Sequence, residues 1–392
     1  MLTKDSKLVP AVVLSCHTIG LAVIRGLGVM GVPIVAVSYQ KQDDIGYLSK
    51  FVKERIYTPH PEKHEKEFIE ILKEYSLHNG KMFLVPADDP TLVIVSKNKH
   101  ELEKYYIVQC IDWDITQCII DKKFTYSLAE DIGVPVPKTF VAKNLDEISK
   151  YTGSLKFPCL VKPCYSHRYY EHFRKKMVQV NNMDEMVAEV SRATNLGIEV
   201  MLQELIIGDD TLGVNYNSFF LNGEPVIEFT SEKVRLSPPA FGIPCVVKSR
   251  EGISEVLESG RKILKAIGFN GYSCTEFKKD PRDGKYKLLE VNGRHNRSGP
   301  LSVKCGINFP WILYDYYVNG RIPSKMNYQK NVYWIDEFRD VYTTGKLVYS
   351  RKYSLLRFIL PYFKRRVFAT FDVRDIKPFL KRCMGIFKIL HK

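Results

Sequence analysis

Two glutamates near residue 280 are spaced so that they could face each other across a β-hairpin. If the hairpin turn closes symmetrically, Glu276 lies opposite Glu290, and Asn292 follows two residues further along the same face. Two strand-like runs, at residues 272–279 and 287–294, flank a turn sequence rich in Asp, Pro and Gly at residues 280–284. Together these segments predict the hairpin.

This arrangement predicts a site for a divalent cation. Two carboxylates that face each other repel unless a positive charge compensates them. Glu276, Glu290 and Asn292 offer oxygen ligands alone, which favours Mg²⁺ or Mn²⁺ over zinc. Arg294 follows closely and could hold a phosphate or carboxylate beside the metal. A solvated hairpin whose glutamates never converge is the alternative, and these residues alone leave both interpretations open.

The N-terminal part of the chain predicts a parallel sheet covered by helices. An apolar strand at residues 11–15, a helix at 18–30 and a second strand at 33–38 form a β-α-β unit. The glycines of this unit fall inside the helix instead of the strand-to-helix turn, so the pattern excludes a dinucleotide fingerprint. Polar residues 16–18 and 88–89 follow strands, at the edge where such sheets bind ligands, although helix caps and turns explain them equally well.

The middle of the chain predicts an α+β block with antiparallel sheets. Asp121 is a suitable N-cap for a helix that carries Phe124, Leu128 and Ile132 on one face and ends at Gly133. The expected elements that follow are a strand at 159–162, a helix at 184–195, a strand at 199–207, a hairpin turning at 222–223 and a helix at 254–267.

Composition and charge limit the class of protein. The 392 residues are 45% hydrophobic and 26% charged, and no apolar run approaches the roughly 18 residues that span a bilayer. Residues 1–10 are polar and lack a signal-peptide core, and the nine cysteines show no metal-binding spacing. We therefore expect a cytoplasmic protein with reduced thiols.

Most of the net charge of +14 lies at the C-terminus. Residues 346–392 contain 13 Lys and Arg against two acids, a net charge of +11. Residues 354–366 and 375–392 interleave apolar and basic residues, as interfacial helices on anionic membranes do. The alternative is a helix that packs on its own domain. Nucleic acid is disfavoured because a basic tail supplies no element that reads bases.

Four separated motifs resemble those of one enzyme superfamily. Residues 121–122 open a helix that ends in G-V-P-V-P, residues 157–163 are F-P-C-L-V-K-P, residues 203–208 are Q-E-L-I-I-G, and the glutamate hairpin follows. Their order and spacing resemble the ATP-grasp superfamily of carboxylate–amine ligases, and most closely its D-aspartate ligase-like branch, over residues 8–323.

The resemblance implies a fold class and domain limits. We expect an α/β Rossmann-like (pre-ATP-grasp) domain at 1–118 and an α+β ATP-grasp domain at 119–322, the latter divided into subdomains 119–202 and 203–322. A basic aromatic extension at 323–392 is left outside the resemblance.

The resemblance also implies site residues. Lys122 and Lys162 would face the phosphates of ATP, Asp210 would hold the ribose, and Arg294 would act on the transferring group. Lys233 and Arg235 lie two apart on a predicted strand, so we expect both on one face, around ATP phosphate or a substrate carboxylate. An exposed strand face is the alternative. The hinge that reads adenine through its backbone would be Gln203, Glu204, Leu205 and Ile206, and the Mg²⁺ or Mn²⁺ ligands would be Glu276, Glu290 and Asn292.

The implied activity is ATP-dependent amide formation through an acyl phosphate. Its partners would be small carboxylate and amine substrates. A lipid-linked or cell-envelope precursor would be among them if residues 346–392 contact the inner face of the membrane. A homodimer is a further option. Two alternatives stay open: a nucleotide-precursor or carboxylase branch, and a peripheral membrane protein with a vestigial ATP site. One departure is the loop at 164–176, which lacks the glycines many of these enzymes fold over the phosphates and carries cationic residues instead.

Overall fold

The computed structural model describes residues 8–40, 44–142, 148, 155–164, 169, 172–173, 175 and 177–390, with side chains omitted at 142 and 386–390. Most of the basic loop expected at 164–176 lies outside the described residues. The described strands form three sheets of five, four and seven strands.

The first sheet is parallel, as the sequence predicts. Its strand order is β3-β2-β1-β4-β5, with every described pairing parallel. Strands β1, β2 and β4 are buried on both faces and are therefore largely apolar runs, whereas the edge strand β3 is charged and mostly exposed. The strands are β1 (Ala11–Leu14), β2 (Ile34–Ser38), β3 (Val52–Tyr57), β4 (Met82–Pro86) and β5 (Tyr106–Val108). The helices are α1 (Thr18–Gly28), α2 (Glu65–Asn79), α3 (Asp89–Lys97), α4 (Lys99–Leu102) and α5 (Trp113–Ile120).

The second sheet is antiparallel and small, in the order β6-β9-β7-β8. It places Lys162 near the end of one strand, with the side chain buried. The elements around it are α6 (Lys122–Asp131), β6 (Thr139–Ala142), β7 (Cys159–Pro163), β8 (Val178–Val180), α7 (Met183–Thr194) and β9 (Val200–Glu204).

The third sheet combines the two expected hairpins with strands from the C-terminal region. Its order is β14-β13-β10-β11-β12-β15-β16. The strands are β10 (Gly213–Leu221), β11 (Glu224–Ser237), β12 (Ile243–Arg250), β13 (Gly271–Lys279), β14 (Tyr286–Asn292), β15 (Tyr333–Ile335) and β16 (Arg366–Phe368). The helices are α8 (Ser254–Ile267), α9 (Gly299–Lys304), α10 (Phe309–Asn319), α11 (Glu337–Tyr349), α12 (Leu355–Phe363) and α13 (Lys377–Leu390).

The C-terminal region is therefore continuous with the sheet that precedes it. Strands β15 and β16 lie beyond the boundary expected at residue 322, yet β15 pairs directly with β12. The domain limits themselves stay predictions.

The start of α13 and the loop before it dock on the first domain. Asp375 accepts hydrogen bonds from Arg25 Nε at 2.9 Å and from Ser49 Oγ at 2.8 Å, and Lys381 donates to the carbonyl of Asp44 at 3.2 Å. Phe379 contacts two aromatic rings of its own region. Asp375, Phe379 and Lys381 thus pack on the protein, whereas Leu380 and Met384 of α13 are 48% and 58% exposed. Among the described residues, no helix has the length and apolar character needed to cross a bilayer.

Candidate active site

The glutamate hairpin forms with the expected pairing. Glu276 of β13 is the register partner of Glu290 of β14, and Asn292 pairs with Cys274 two residues further on. The turn does not close symmetrically, because Phe277 pairs with Leu288 instead of with residue 289. A β-bulge at residue 289 restores the opposition of the two glutamates.

Each glutamate is paired with a buried lysine. Lys122 Nζ lies 3.1 Å from Glu290 Oε1, and Lys233 Nζ lies 2.5 Å from Glu276 Oε2. Burial alone would lower the pKa of both lysines, but the adjacent carboxylates outweigh it and raise the pKa of each above its ordinary value. Both lysines therefore stay cationic, and they relieve the carboxylate repulsion that the sequence argument assigned to a metal alone.

The reach of Lys233 depends on a glycine that sequence reasoning missed. A Cβ at Gly213 of β10 would lie 2.7 Å from Lys233 Cδ, so a side chain there would displace the lysine from its path towards Glu276. A glycine inside a strand is the signal that indicates such a close approach.

The donor set on this face suits a hard cation. Asn215 of β10 is the register partner of Glu276, so the two side chains share a face. Asn215 is buried, and its Oδ1 has no hydrogen-bond partner among the described residues. An unpaired buried carbonyl oxygen beside two carboxylates is consistent with a ligand for Mg²⁺.

Lys162 is linked to the hairpin through a tyrosine. Its Nζ donates to Tyr126 Oη at 2.8 Å, and that hydroxyl donates to the carbonyl of Leu289 at 2.6 Å. Tyr126 stands four residues after Lys122 on α6, so the helix presents both to the same region. Sequence reasoning missed Tyr126, although its spacing from Lys122 was available.

Helix α6 buries polar site residues beside its expected apolar face. Phe124 is exposed, whereas Lys122, Thr125, Tyr126 and Ala129 are buried. Of the expected apolar face, Leu128 and Ile132 are partly buried against the main hydrophobic core, and Phe124 is the exposed member.

The structure separates the adjacent lysines 122 and 123. Lys123 Nζ lies 2.5 Å from Glu199 Oε2 and is partly exposed, away from the hairpin carboxylates to which Lys122 is bound. Substitutions of Lys122 and Lys123 therefore form a matched pair of variants at neighbouring positions.

The predicted hinge, residues 203–206, covers the last two residues of β9 and the two that follow, and it is held by side-chain contacts. Gln203 donates to Thr139 at 2.9 Å, and Glu204 is bonded by Arg282 at 2.8 Å. Lys278 donates to the carbonyl of Ile206 at 2.9 Å. Leu205 lies between these anchored residues. The adenine role of residues 203–206 stays a prediction, and Lys278 is a neighbour that the sequence did not indicate.

Asp210 lies just before β10 and binds the backbone at the end of β11. Its carboxylate accepts hydrogen bonds from the backbone N–H groups of Leu236 at 2.8 Å and Ala240 at 2.9 Å, while Asp209 accepts one from Thr211 N at 2.9 Å. Asp210 thus fixes a loop of the third sheet. Its ribose role remains a prediction.

Arg294 bridges the hairpin to the first domain. Its Nε and Nη2 bind the two oxygens of Asp89 at 2.6 and 2.9 Å. A cleft open to solvent lies between the hairpin and the first domain and is lined by Asp89, Lys122, Glu290 and Asn292. An anion that binds the Arg294 guanidinium must either share it with the Asp89 carboxylate or displace that carboxylate.

Asp88 binds partners different from those of Asp89. It accepts hydrogen bonds from Tyr39 Oη and from the backbone N–H of Thr91 at 3.0 Å, and His17 Nε2 lies 3.5 Å away. Burial would raise the pKa of Asp88, but His17, Thr91 and Tyr39 together hold it well below its ordinary value. Asp88 is therefore ionised and serves as the N-cap of α3.

The expectation that Lys233 and Arg235 share a face is wrong. Lys233 pairs with Val247 while Arg235 pairs with Val246, so a bulge at residue 234 reverses the alternation of side chains. Arg235 instead binds both oxygens of buried Asp340 at 2.8 and 2.7 Å. We no longer assign Arg235 to the site.

His295, next to Arg294, gives a prediction about acid stability. The ring is buried and stacked on Tyr272, and burial lowers its pKa to about 3. The unfolded chain takes up the proton near pH 6.5, whereas the folded chain takes it up near pH 3. The contribution of the neutral, buried ring to the free energy of unfolding is therefore complete above pH 6.5 and is lost as the pH falls towards 3. Between pH 7 and 5, the free energy of unfolding of the wild type should fall by about 2 kcal/mol more than that of His295→Phe. Urea titrations at both pH values measure this, with exposed His78→Phe as the control. Parallel losses in wild type and His295→Phe would contradict it.

Comparison with known proteins supports the family resemblance. No protein-family model matches the chain. It is 25% identical over 288 residues to D-aspartate ligase of Enterococcus faecium, covering 69% of this chain and 65% of that protein. It is 25% identical over 204 residues to D-alanine–D-alanine ligase B of Pseudomonas syringae, covering 50% of this chain and 62% of that protein. The chain thus spans just under two thirds of these relatives.

Solved structures show the same fold at low identity. L-amino acid ligase from Bacillus licheniformis superimposes with a TM-score of 0.61 at 16% identity, covering 81% of this chain and 78% of that one. N5-carboxyaminoimidazole synthetase from Staphylococcus aureus, complexed with ADP, gives a TM-score of 0.63 at 16% identity, covering 83% and 82%. The relatives and neighbours together indicate the ATP-grasp superfamily.

Proposed function

We propose that the chain is an ATP-dependent carboxylate–amine ligase. The observation that carries this proposal is the convergence of Lys122 and Lys162 on a hairpin that presents Glu276 and Glu290 face to face. Two cations and two carboxylates around one hairpin suit a triphosphate and its divalent counter-ion. Similarity to D-aspartate ligase and D-alanine–D-alanine ligase supports the choice of amide chemistry.

In the proposed reaction, a substrate carboxylate oxygen attacks the γ-phosphorus of ATP and the bond to ADP breaks. An amine then attacks the acyl carbon, phosphate leaves with the electrons of the C–O bond, and the amine loses a proton to give the amide. Such phosphoryl transfer depends on positioning and charge neutralisation.

The residues have separable roles in this proposal. Lys122 and Lys162 would bind phosphate oxygens, and Arg294 would stabilise the transferring group or the tetrahedral oxyanion once released from Asp89. Lys233 would keep Glu276 oriented. Glu276, Glu290 and Asn292 would hold Mg²⁺, with Asn215 as a further oxygen donor. When bound, Mg²⁺ supplies neutralisation of the phosphate charge.

The similarity to amide-forming ligases also supports a proposal for the class of each substrate. We propose an amino acid as one substrate and a cell-envelope or metabolite precursor as the other. A screen for ADP release with single amino acids and with pairs, followed by mass spectrometry of the products, tests this. Hydroxylamine should trap the acyl phosphate as a hydroxamate. ADP release that requires bicarbonate would favour the carboxylase alternative, and no ADP release with any carboxylate would refute the proposal.

The neighbouring lysines test the placement of ATP. Lys122→Met should reduce ATP turnover by about 10²-fold, because it removes a buried charge from the cleft. Lys123→Met should change turnover by less than about threefold, since that side chain binds Glu199 at the surface. ADP release under saturating amino acid measures both. Equal losses in the two variants would contradict the assignment of Lys122.

A further inference from the structure

Helix α12 carries an apolar face that nothing in the described chain covers. Leu356, Leu360 and Phe363 are 76%, 48% and 77% exposed. At about 100° per residue, the three side chains fall within an arc of about 60°. We call these three residues the apolar stripe.

The opposite side of the same helix anchors it to the protein. Pro361 is buried, Tyr362 Oη donates to Asp340 at 2.9 Å, and the carbonyl of Arg357 accepts a hydrogen bond from Arg235. The helix is therefore held with the apolar stripe directed outwards, so the exposure does not arise from a loosely placed segment.

The charged residues nearest to the apolar stripe in sequence are all basic. Residues 341–371 contain seven Lys and Arg and no acidic residue. All seven are exposed, and within the described residues none forms an ion pair with a carboxylate. They are Lys346, Arg351, Lys352, Arg357, Lys364, Arg365 and Arg366. Tyr342 and Tyr349, on the preceding helix α11, are also exposed.

We propose that the apolar stripe of α12 docks on an anionic lipid bilayer. Exposed Leu and Phe can enter the acyl boundary while Lys and Arg contact acidic headgroups, and Tyr is favoured at that interface. A second copy of this chain fits poorly, because a symmetric contact would set seven positive charges against seven like charges. A nucleic acid would satisfy the cations but leave the leucines and phenylalanine without apolar contact.

The proposal stands apart from the ligase activity and assigns the membrane contact to α12, because α13 and the loop before it are anchored to the first domain through Lys381 and Asp375. It implies that the catalytic domain works at the surface of a membrane, where a lipid-linked acceptor is accessible.

Vesicle flotation of the full chain tests the proposal. Vesicles of phosphatidylcholine with about one third phosphatidylglycerol should carry the protein upwards, and pure phosphatidylcholine vesicles should carry at least about tenfold less. Leu356→Ser/Phe363→Ser should reduce binding to the anionic vesicles by at least about tenfold. The matched control is Leu77→Ser, an exposed leucine on α2. Circular dichroism and ADP release show whether each variant is folded.

Three results would overturn the proposal. The first is no flotation of the wild type with anionic vesicles, and the second is equal flotation of the double variant and the wild type. The third is a concentration-dependent dimer, seen by light scattering, that the double variant abolishes, since it would make a second copy the occupant.

Discussion

Glu290→Gln should lower ATP turnover by about 10²–10³-fold while leaving the fold intact. Glutamine keeps the shape of the side chain and can still accept a hydrogen bond from Lys122, so the hairpin should form normally. It removes the negative charge that both Lys122 and a divalent cation require at this position. ADP release at saturating ATP measures the loss, and thermal unfolding measures the fold.

The matched control is Glu232→Gln in the same sheet. Glu232 also pairs with basic side chains, Lys248 at 2.5 Å and Arg250 at 2.9 Å, but lies on β11 away from the hairpin. Its turnover should stay within about twofold of the wild type. If Glu290→Gln retained wild-type turnover across a titration of Mg²⁺, the metal ligand assignment would be wrong.

The sequence predicted the hairpin because its signals are local. A turn of Asp, Pro and Gly between two strand-like runs indicated the hairpin, and the two-residue period of strands indicated the shared face of Glu290 and Asn292. The opposition of Glu276 and Glu290 also depends on the bulge at residue 289, which the sequence did not indicate. The helix at residues 254–267 was predicted with its observed ends for the same reason, since its apolar period and its terminal Gly268 are both local signals.

The errors arose where pairing between strands decides orientation. The bulge at residue 234 depends on how β11 aligns with β12, and alternation within β11 alone placed Arg235 on the wrong face. The lysine partners of Glu276 and Glu290 come from α6 and β11, far away in sequence, so the carboxylate pair alone suggested a metal as the compensating charge. The C-terminal strands joined the third sheet through β12, a long-range pairing that no local pattern indicates.

Asp340→Leu should lower the free energy of unfolding by about 3–5 kcal/mol. Asp340 is fully buried and accepts hydrogen bonds from Arg235 and from the hydroxyls of Tyr362 and Thr344. Removing the carboxylate leaves the guanidinium of Arg235 buried without its counter-charge, which costs far more than an exposed ion pair would. Urea denaturation followed by circular dichroism measures the change.

The double variant Arg235→Met/Asp340→Leu distinguishes a structural role of Arg235 from a catalytic one. Replacing both members of a buried ion pair with apolar residues of similar size is often close to neutral, so the double variant should recover most of the stability lost in Asp340→Leu. Because the bulge at residue 234 turns Arg235 away from Lys233, the folded double variant should also release ADP within about threefold of the wild-type rate. A stable double variant with turnover reduced by 10²-fold or more would instead show that Arg235 acts at the reaction centre, and would restore the role that its place on the strand first suggested.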